Sequence, residues 1–169
     1  MDAGSFYIPK HLTAPGQDVH FICSEQKTIG VADGVGGWSK KGVDAGYYAR
    51  QLMANTVTAI CDQIEGPIDP KTVLNEGFLN TELKGSSTAC IITLTGNNLH
   101  AANIGDSGFL LLRGGEVVYQ SPVQQHRFNC PYQLGNNNDS PSSAQGSAII
   151  NLLLFRLNIN TGQIGIVVP

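Results

Sequence analysis

The 169-residue chain has little charge and few aromatics. Charged residues make up 14% and aromatic residues 7%, with one tryptophan and two methionines. No basic block occurs, and the formal net charge is -3 with a pI near 5.7. That balance argues against duplex nucleic acid and against an anionic membrane surface as partners. Cysteine is sparse too: Cys23, Cys61, Cys90 and Cys130 show no Cys-x-x-Cys spacing. Without that spacing or a His-x-x-x-His partner, a zinc site is not expected, and the four read as buried free thiols of a reducing compartment.

Long apolar runs are also missing. Ala148 to Phe155 is the longest, is interrupted by Asn151, and falls well short of the roughly 20 residues a membrane-crossing helix needs. The first residues, Met1 to Ser5, have neither the charged nor the apolar region of a secretory signal. A soluble, intracellular, monomeric chain of about one domain is expected.

Among the features present, one run stands out. Val31-Ala32-Asp33-Gly34-Val35-Gly36-Gly37-Trp38 puts an aspartate at the end of an apolar stretch, where the chain must turn on glycine. Gly105-Asp106-Ser107-Gly108 repeats that device downstream. His20 to Cys23 and Thr28 to Ala32 read as two strands of a hairpin joined by Ser24-Glu25-Gln26-Lys27. That hairpin would bring Asp18, just before the first strand, near Asp33.

Asp44 is a candidate helix cap. Ala45, Tyr48, Ala49, Leu52, Met53, Val57, Ile60 and Ile64 follow at helical spacing, with Gly66-Pro67 as the stop. Asp69-Pro70 opens a second helix with Val73, Leu74, Phe78 and Leu83 on its apolar side. From Thr88 the period becomes two. Thr88 to Leu94 and Leu99 to Ile104 flank Gly96-Asn97-Asn98, and Gly108 to Leu112 and Val117 to Gln120 flank Arg113-Gly114-Gly115-Glu116, giving two hairpins. Strands, then helices, then strands predict an α+β layered domain rather than a βαβ repeat. Leu134 to Gly146 is rich in Asn, Ser, Gly and Pro and reads as a loop. Ala148 to Phe155 and Ile164 to Val168 have the composition of strands but no clean alternation.

Aspartates on rigid supports suit Mg²⁺ or Mn²⁺, which prefer oxygen ligands. Asp33 and Asp106 meet that demand, and the Gly34 carbonyl is open to approach because glycine has no side chain. Each aspartate also has a plainer reading, as a turn residue bonding its own backbone. The glycine run does not make a phosphate cradle: no Gly-Lys-Ser/Thr follows, and the third glycine of a dinucleotide motif is absent. No Gly-x-Ser-x-Gly elbow offers a serine nucleophile. His100 reads as a half-buried structural histidine, His20 as a surface one, and Trp38 as a packed aromatic.

These residues resemble the type 2C metal-dependent serine/threonine protein phosphatases. Gly16-Gln17-Asp18-Val19-His20-Phe21 is similar to the family's first acidic motif and Val31 to Trp38 to its second. Gly85-Ser86-Ser87-Thr88-Ala89 resembles its Gly-Ser/Thr-Thr-Ala strand, and Asn103-Ile104-Gly105-Asp106-Ser107 its Gly-Asp-Ser motif. Trp38 and Ser121-Pro122-Val123-Gln124-Gln125-His126 are similar to the plant and mitochondrial branch related to T-cell-activation phosphatases.

The resemblance implies an α+β fold, a four-layer α-β-β-α sandwich of antiparallel sheets. It implies two Mg²⁺ or Mn²⁺ ions and attack of a metal-activated water on phosphoserine or phosphothreonine of a protein substrate. On that analogy Asp33 bridges the ions, the Gly34 carbonyl binds one, Asp18 orients water, and Asp106 is an additional ligand. Lys10 or His11 would hold phosphate. Three departures stand out. Gln17 replaces the usual glutamate, Val35 replaces a histidine many relatives carry, and the C-terminal acidic motifs do not occur. Residues 1–145 are therefore expected to form the N-terminal part of the phosphatase domain, incomplete at its C-terminus, and 146–169 a divergent tail. The rival expectation is an inactive truncated pseudophosphatase that binds rather than hydrolyses, or that does not accumulate.

Overall fold

In a computed structural model, the structure describes residues 1–9 and 15–135, and the backbone of 151–156 and 162–167. The chain opens with antiparallel strands β1 (Asp18–Cys23) and β2 (Thr28–Asp33), then a six-residue 3₁₀ turn (Gly36–Lys41). Two helices follow, α1 (Ala45–Asp62) and α2 (Pro70–Leu79). Strands β3 (Ser86–Ser87), β4 (Ala89–Thr95), β5 (Asn98–Ile104), β6 (Gly108–Arg113) and β7 (Glu116–Gln120) come next. The short strands β8 (Gln125–Arg127), β9 (Cys130–Pro131) and β10 (Leu134–Gly135) precede β11 (Asn151–Arg156) and β12 (Gly162–Val167).

Both helix starts form as their caps dictate. The Asp44 carboxylate accepts the Gly46 N–H at 2.8 Å, and Asp69 accepts Lys71 N–H at 3.2 Å with Pro70 in the first turn. Such caps satisfy amides that the helix itself leaves unpaired. The ends differ from the sequence expectation. Helix α1 stops at Asp62, so Ile64 lies beyond it, 94% exposed, and Leu83 lies outside α2. Apolar spacing carried past a helix end has nothing to pack against. Among the described residues no helix is long and apolar enough to cross a membrane.

The main sheet has the order β1-β2-β4-β5-β11, and a second sheet has the order β12-β6-β7. Strand alternation explains why β4 reads as one apolar run. Ala89 and Ile91 face the helices, packing with Tyr48, Ala49, Leu52, Met53 and Leu74. Cys90 and Ile92 face the opposite way, with Leu99, Ala101, Phe109 and Tyr119. A sheet covered on both faces needs no polar positions along its central strands. The α+β sandwich is therefore as expected, with helix, sheet and sheet layers among the described residues.

The tail segments do pair as strands, β11 antiparallel to β5 and β12 antiparallel to β6. The start of the anticipated loop differs: Leu134 and Gly135 pair with Ser87 and Ser86. All four cysteines are free thiols. Cys90 and Cys130 are buried as expected, whereas Cys23 is half-buried and Cys61 is exposed near the end of α1. Burial pushes the Cys90 thiol up to about 12.

Candidate metal centre

The last pair in the β1–β2 ladder is Asp18 opposite Asp33. Residues directly opposite in an antiparallel ladder project to the same face, with Cβ atoms about 4.5–5.5 Å apart. The two carboxyls here are close enough to share a hydrogen bond. Burial, that shared bond and the Asp18 charge push the Asp33 carboxyl up to about 7, with a smaller contribution from Asp106. Burial also raises Asp106, partly offset by its own backbone N–H.

The backbone around Asp33 is held from both sides. Its carbonyl accepts Thr88 N–H at 2.9 Å and the Ser87 hydroxyl at 2.8 Å. Gly34 N–H donates to the Gln17 carbonyl at 3.0 Å, and Val35 N–H to the Ser86 carbonyl at 2.9 Å. On the β1 side, Arg50 of α1 donates to the Gly16 carbonyl at 3.0 Å. Glycine is required at position 34 because a Cβ there would collide with the Ala45 backbone carbonyl at the start of α1. The Gln17 side chain lies against Gly36, where a Cβ would meet its Oε1 at 2.9 Å.

Asp106 sits in the turn between β5 and β6, where Gly105 takes a φ of 92°. The neighbouring Ser107 is buried and shares a 2.6 Å hydrogen bond with the Thr88 hydroxyl. Thr88 therefore links the Asp33 carbonyl, through its amide, to the Asp106 turn, through its hydroxyl. A second buried chain supports the same corner. The Trp38 indole N–H donates to the Ser86 hydroxyl at 2.7 Å, and that hydroxyl donates to the Gln133 side-chain carbonyl.

The structure thus brings Asp18, Asp33 and Gly34 together and leaves Asp106 at the margin of the group. Among the described residues, no cluster of three or more carboxylate, imidazole or thiol groups is arranged to hold an ion. Lys10 and His11 lie outside the described residues. The donor set does fit a hard cation. Two carboxyls held side by side, that of Asp33 raised first by burial and then by its neighbour, form a locus that a cation would relieve, and all the donors are oxygens. Sequence reasoning missed Ser87, Thr88, Ser107 and Gln133 as supports. The only hint of the first three was their clustering in Ser86-Ser87-Thr88 and Asp106-Ser107. Of the histidines, His20 is exposed, His100 is half-buried, and exposed His126 stacks on Tyr132 with ring centroids 4.0 Å apart.

No protein-family model matches the chain. The chain is 56% identical over 148 residues to a probable protein phosphatase 2C 55 of Arabidopsis thaliana, covering 85% of this chain and 32% of the relative. Among solved structures, that of the photosystem II phosphatase PBCP matches with a TM-score of 0.74 and 30% identity, covering 84% of this chain and 55% of that one. The catalytic domain of the serine threonine protein phosphatase PstP, in complex with two manganese ions, matches with a TM-score of 0.61 over 86% of this chain and 67% of its own. Its 19% identity makes that a likeness of fold. The chain spans about a third of the length of the first curated relatives it matches.

Proposed function

Because this chain belongs to the type 2C family of protein phosphatases over the part it spans, we propose that its acidic corner serves the metal-dependent hydrolysis of phosphoserine and phosphothreonine in proteins. The observation that carries this reading is the direct opposition of Asp18 and Asp33 at the sheet end, with the Gly34 carbonyl beside them. Asp18, Asp33 and the Gly34 carbonyl would hold Mg²⁺ or Mn²⁺, two ions by analogy with the family, and Asp106 would add a further oxygen. Bound there, the ions would lower the pKa of water and offset charge on the phosphoryl oxygens.

The chain's own contribution is position and charge. Thr88 and Ser87 fix the Asp33 carbonyl, so the carboxylate and the Gly34 carbonyl keep one relative orientation. Asp33 must give up its proton to act as a ligand, which the cation favours. Val35 supplies no proton to a leaving group, so the departing alkoxide would take one from solvent.

The test is hydrolysis of a phosphothreonine peptide with Mn²⁺, beside calorimetric titration of Mn²⁺. Metal-dependent phosphate release that Asp33→Ala abolishes supports the reading; folded protein that binds Mn²⁺ at neither site overturns it. A second reading is favoured by the neutral amide at Gln17, which places one negative charge fewer beside Asp18. It is a phosphoprotein-binding, non-catalytic chain, and it predicts peptide binding without phosphate release.

A further inference from the structure

Strand pairing ends at Ile104 and resumes at Gly108, so Asp106 stands between ladders rather than in one. The turn that carries it begins on Gly105, at a φ of 92°. Glycine populates both signs of φ about equally, so residue 105 by itself selects neither orientation of the peptide that joins it to Asp106. The selection must come from outside the turn.

Gln124 supplies it. Its main-chain N–H donates to the Gly105 carbonyl at 2.8 Å, and its side-chain Nε2 donates to the Asn103 carbonyl at 3.1 Å. Its own carbonyl accepts the Tyr132 N–H at 3.0 Å. A peptide unit is planar, so holding the Gly105 carbonyl also fixes the N–H of Asp106 at the other edge of the same unit. That N–H is the one bonded to the Asp106 carboxyl. The contacts therefore run from Gln124 through one rigid peptide to the carboxyl. The Nε2 bond is the second point of the grip. With the main-chain bond alone, residue 124 is free to pivot about the Gly105 carbonyl; with both, it is registered against β5. Ser107 and Thr88 hold the other side of the turn.

For a purely structural brace these residue types are a poor choice. Gln124 and Asn103 are both buried. Gln124 Oε1 and both side-chain polar atoms of Asn103 have no hydrogen-bond partner among the described residues. Apolar side chains of similar size would avoid that penalty. Proteins break such rules chiefly at functional sites, and these two amides lie beside a turn whose carboxyl is near enough to act on Asp33.

We propose that Gln124 is a positioning residue, one that selects the peptide orientation from which Asp106 reaches a cation held at Asp33. This inference rests on the metal-dependent reading of the acidic corner, but its test reads binding and stability rather than turnover.

The test is a double-mutant cycle followed by calorimetric Mn²⁺ titration, with urea unfolding of each metal-free variant. Gln124→Met keeps the main-chain bonds and the approximate volume while removing both side-chain polar atoms. It should weaken Mn²⁺ binding about tenfold, the low end of the roughly 10–100-fold that loss of a partner behind a ligand costs. Metal-free stability should hold or rise, because the unpartnered Oε1 is removed with the donor. In an Asp106→Asn background the same change should alter affinity by less than about twofold, since the carboxylate it acts through is gone. Gln124→His, which returns an N–H at similar reach, should recover part of the loss. Gln124→Leu takes the place of the methionine variant if that one does not fold. Mn²⁺ affinity unchanged by Gln124→Met overturns the proposal and leaves the metal reading standing. An equal loss with and without the Asp106 carboxylate also overturns it, as does a loss that tracks falling stability and is not recovered by histidine. Folded native chain that binds no Mn²⁺ overturns both.

Discussion

Asp18 and Asp33 form the terminal cross-strand pair of the β1–β2 hairpin, and the Asp18 carboxyl is close enough to push that of Asp33 upward. Two groups of like charge are thereby held together by strand register rather than by any attraction between them. Much of what the corner can do follows from that constraint.

Removing the inner member should remove cation binding. Asp33→Ala is expected to weaken Mn²⁺ affinity by about a hundredfold or more, since changes one shell further out already cost about 10–100-fold. Calorimetric titration checks this, with circular dichroism to verify the fold.

The metal-free chain should lose stability as pH rises. The Asp33 carboxyl is raised from 3.8 to about 7 in the folded state, so between those values the native state binds more protons than the unfolded one. Stability then falls with rising pH across that window and levels off above it. Thermal melts from pH 4 to 8 should show the fall, Mn²⁺ should reverse it at the upper end, and Asp33→Asn should flatten it.

Gln17→Glu restores a negative charge beside Asp18. The expected result is tighter Mn²⁺ binding together with a lower metal-free Tm, because the added charge repels the existing pair. A rise in metal-free Tm would contradict this picture of an overcharged corner.

Ser86→Ala removes the hydroxyl that accepts the Trp38 N–H in a buried site. An unsatisfied buried group costs about 1–3 kcal/mol. Urea unfolding should register a loss in that range, and Ser86→Thr, which keeps the hydroxyl, a smaller one if the extra methyl is accommodated.

Gly34→Ala should be worse than an ordinary glycine substitution in a turn. The new Cβ meets the Ala45 backbone carbonyl, which cannot rotate away without moving the first turn of α1. Partial loss of the folded fraction, seen by circular dichroism, is the expected outcome.

Local chemistry was legible where a residue's neighbours in sequence decide its conformation. Asp44 and Asp69-Pro70 announce their helices, and the Gly96-Asn97 turn announces the β4–β5 hairpin. Asp33 at a strand end, with Asp18 across the ladder, was readable for the same reason. The helix ends were overextended because periodicity has no term for where burial stops. Ile64 keeps the spacing of α1 and buries nothing. Pairing of Leu134 and Gly135 with β3 was invisible because it joins segments 47 or more residues apart, and composition there is that of a loop. Ser87, Thr88 and Gln133 act through contacts that only the closed sandwich creates.

The two aspartates do not sit on equally durable supports. Asp33 belongs to β2, flanked by β1 and β4, whereas Asp18 belongs to β1 at the border of the five-stranded sheet. Border strands open first in native-state fluctuations. Amides of β1 should therefore exchange with deuterium before those of β2, and the corner would come apart by losing Asp18 while Asp33 stays put. A cation gripping both would act as a clasp on one of the sheet's two border strands, so that metal occupancy and the rigidity of β1 rise together.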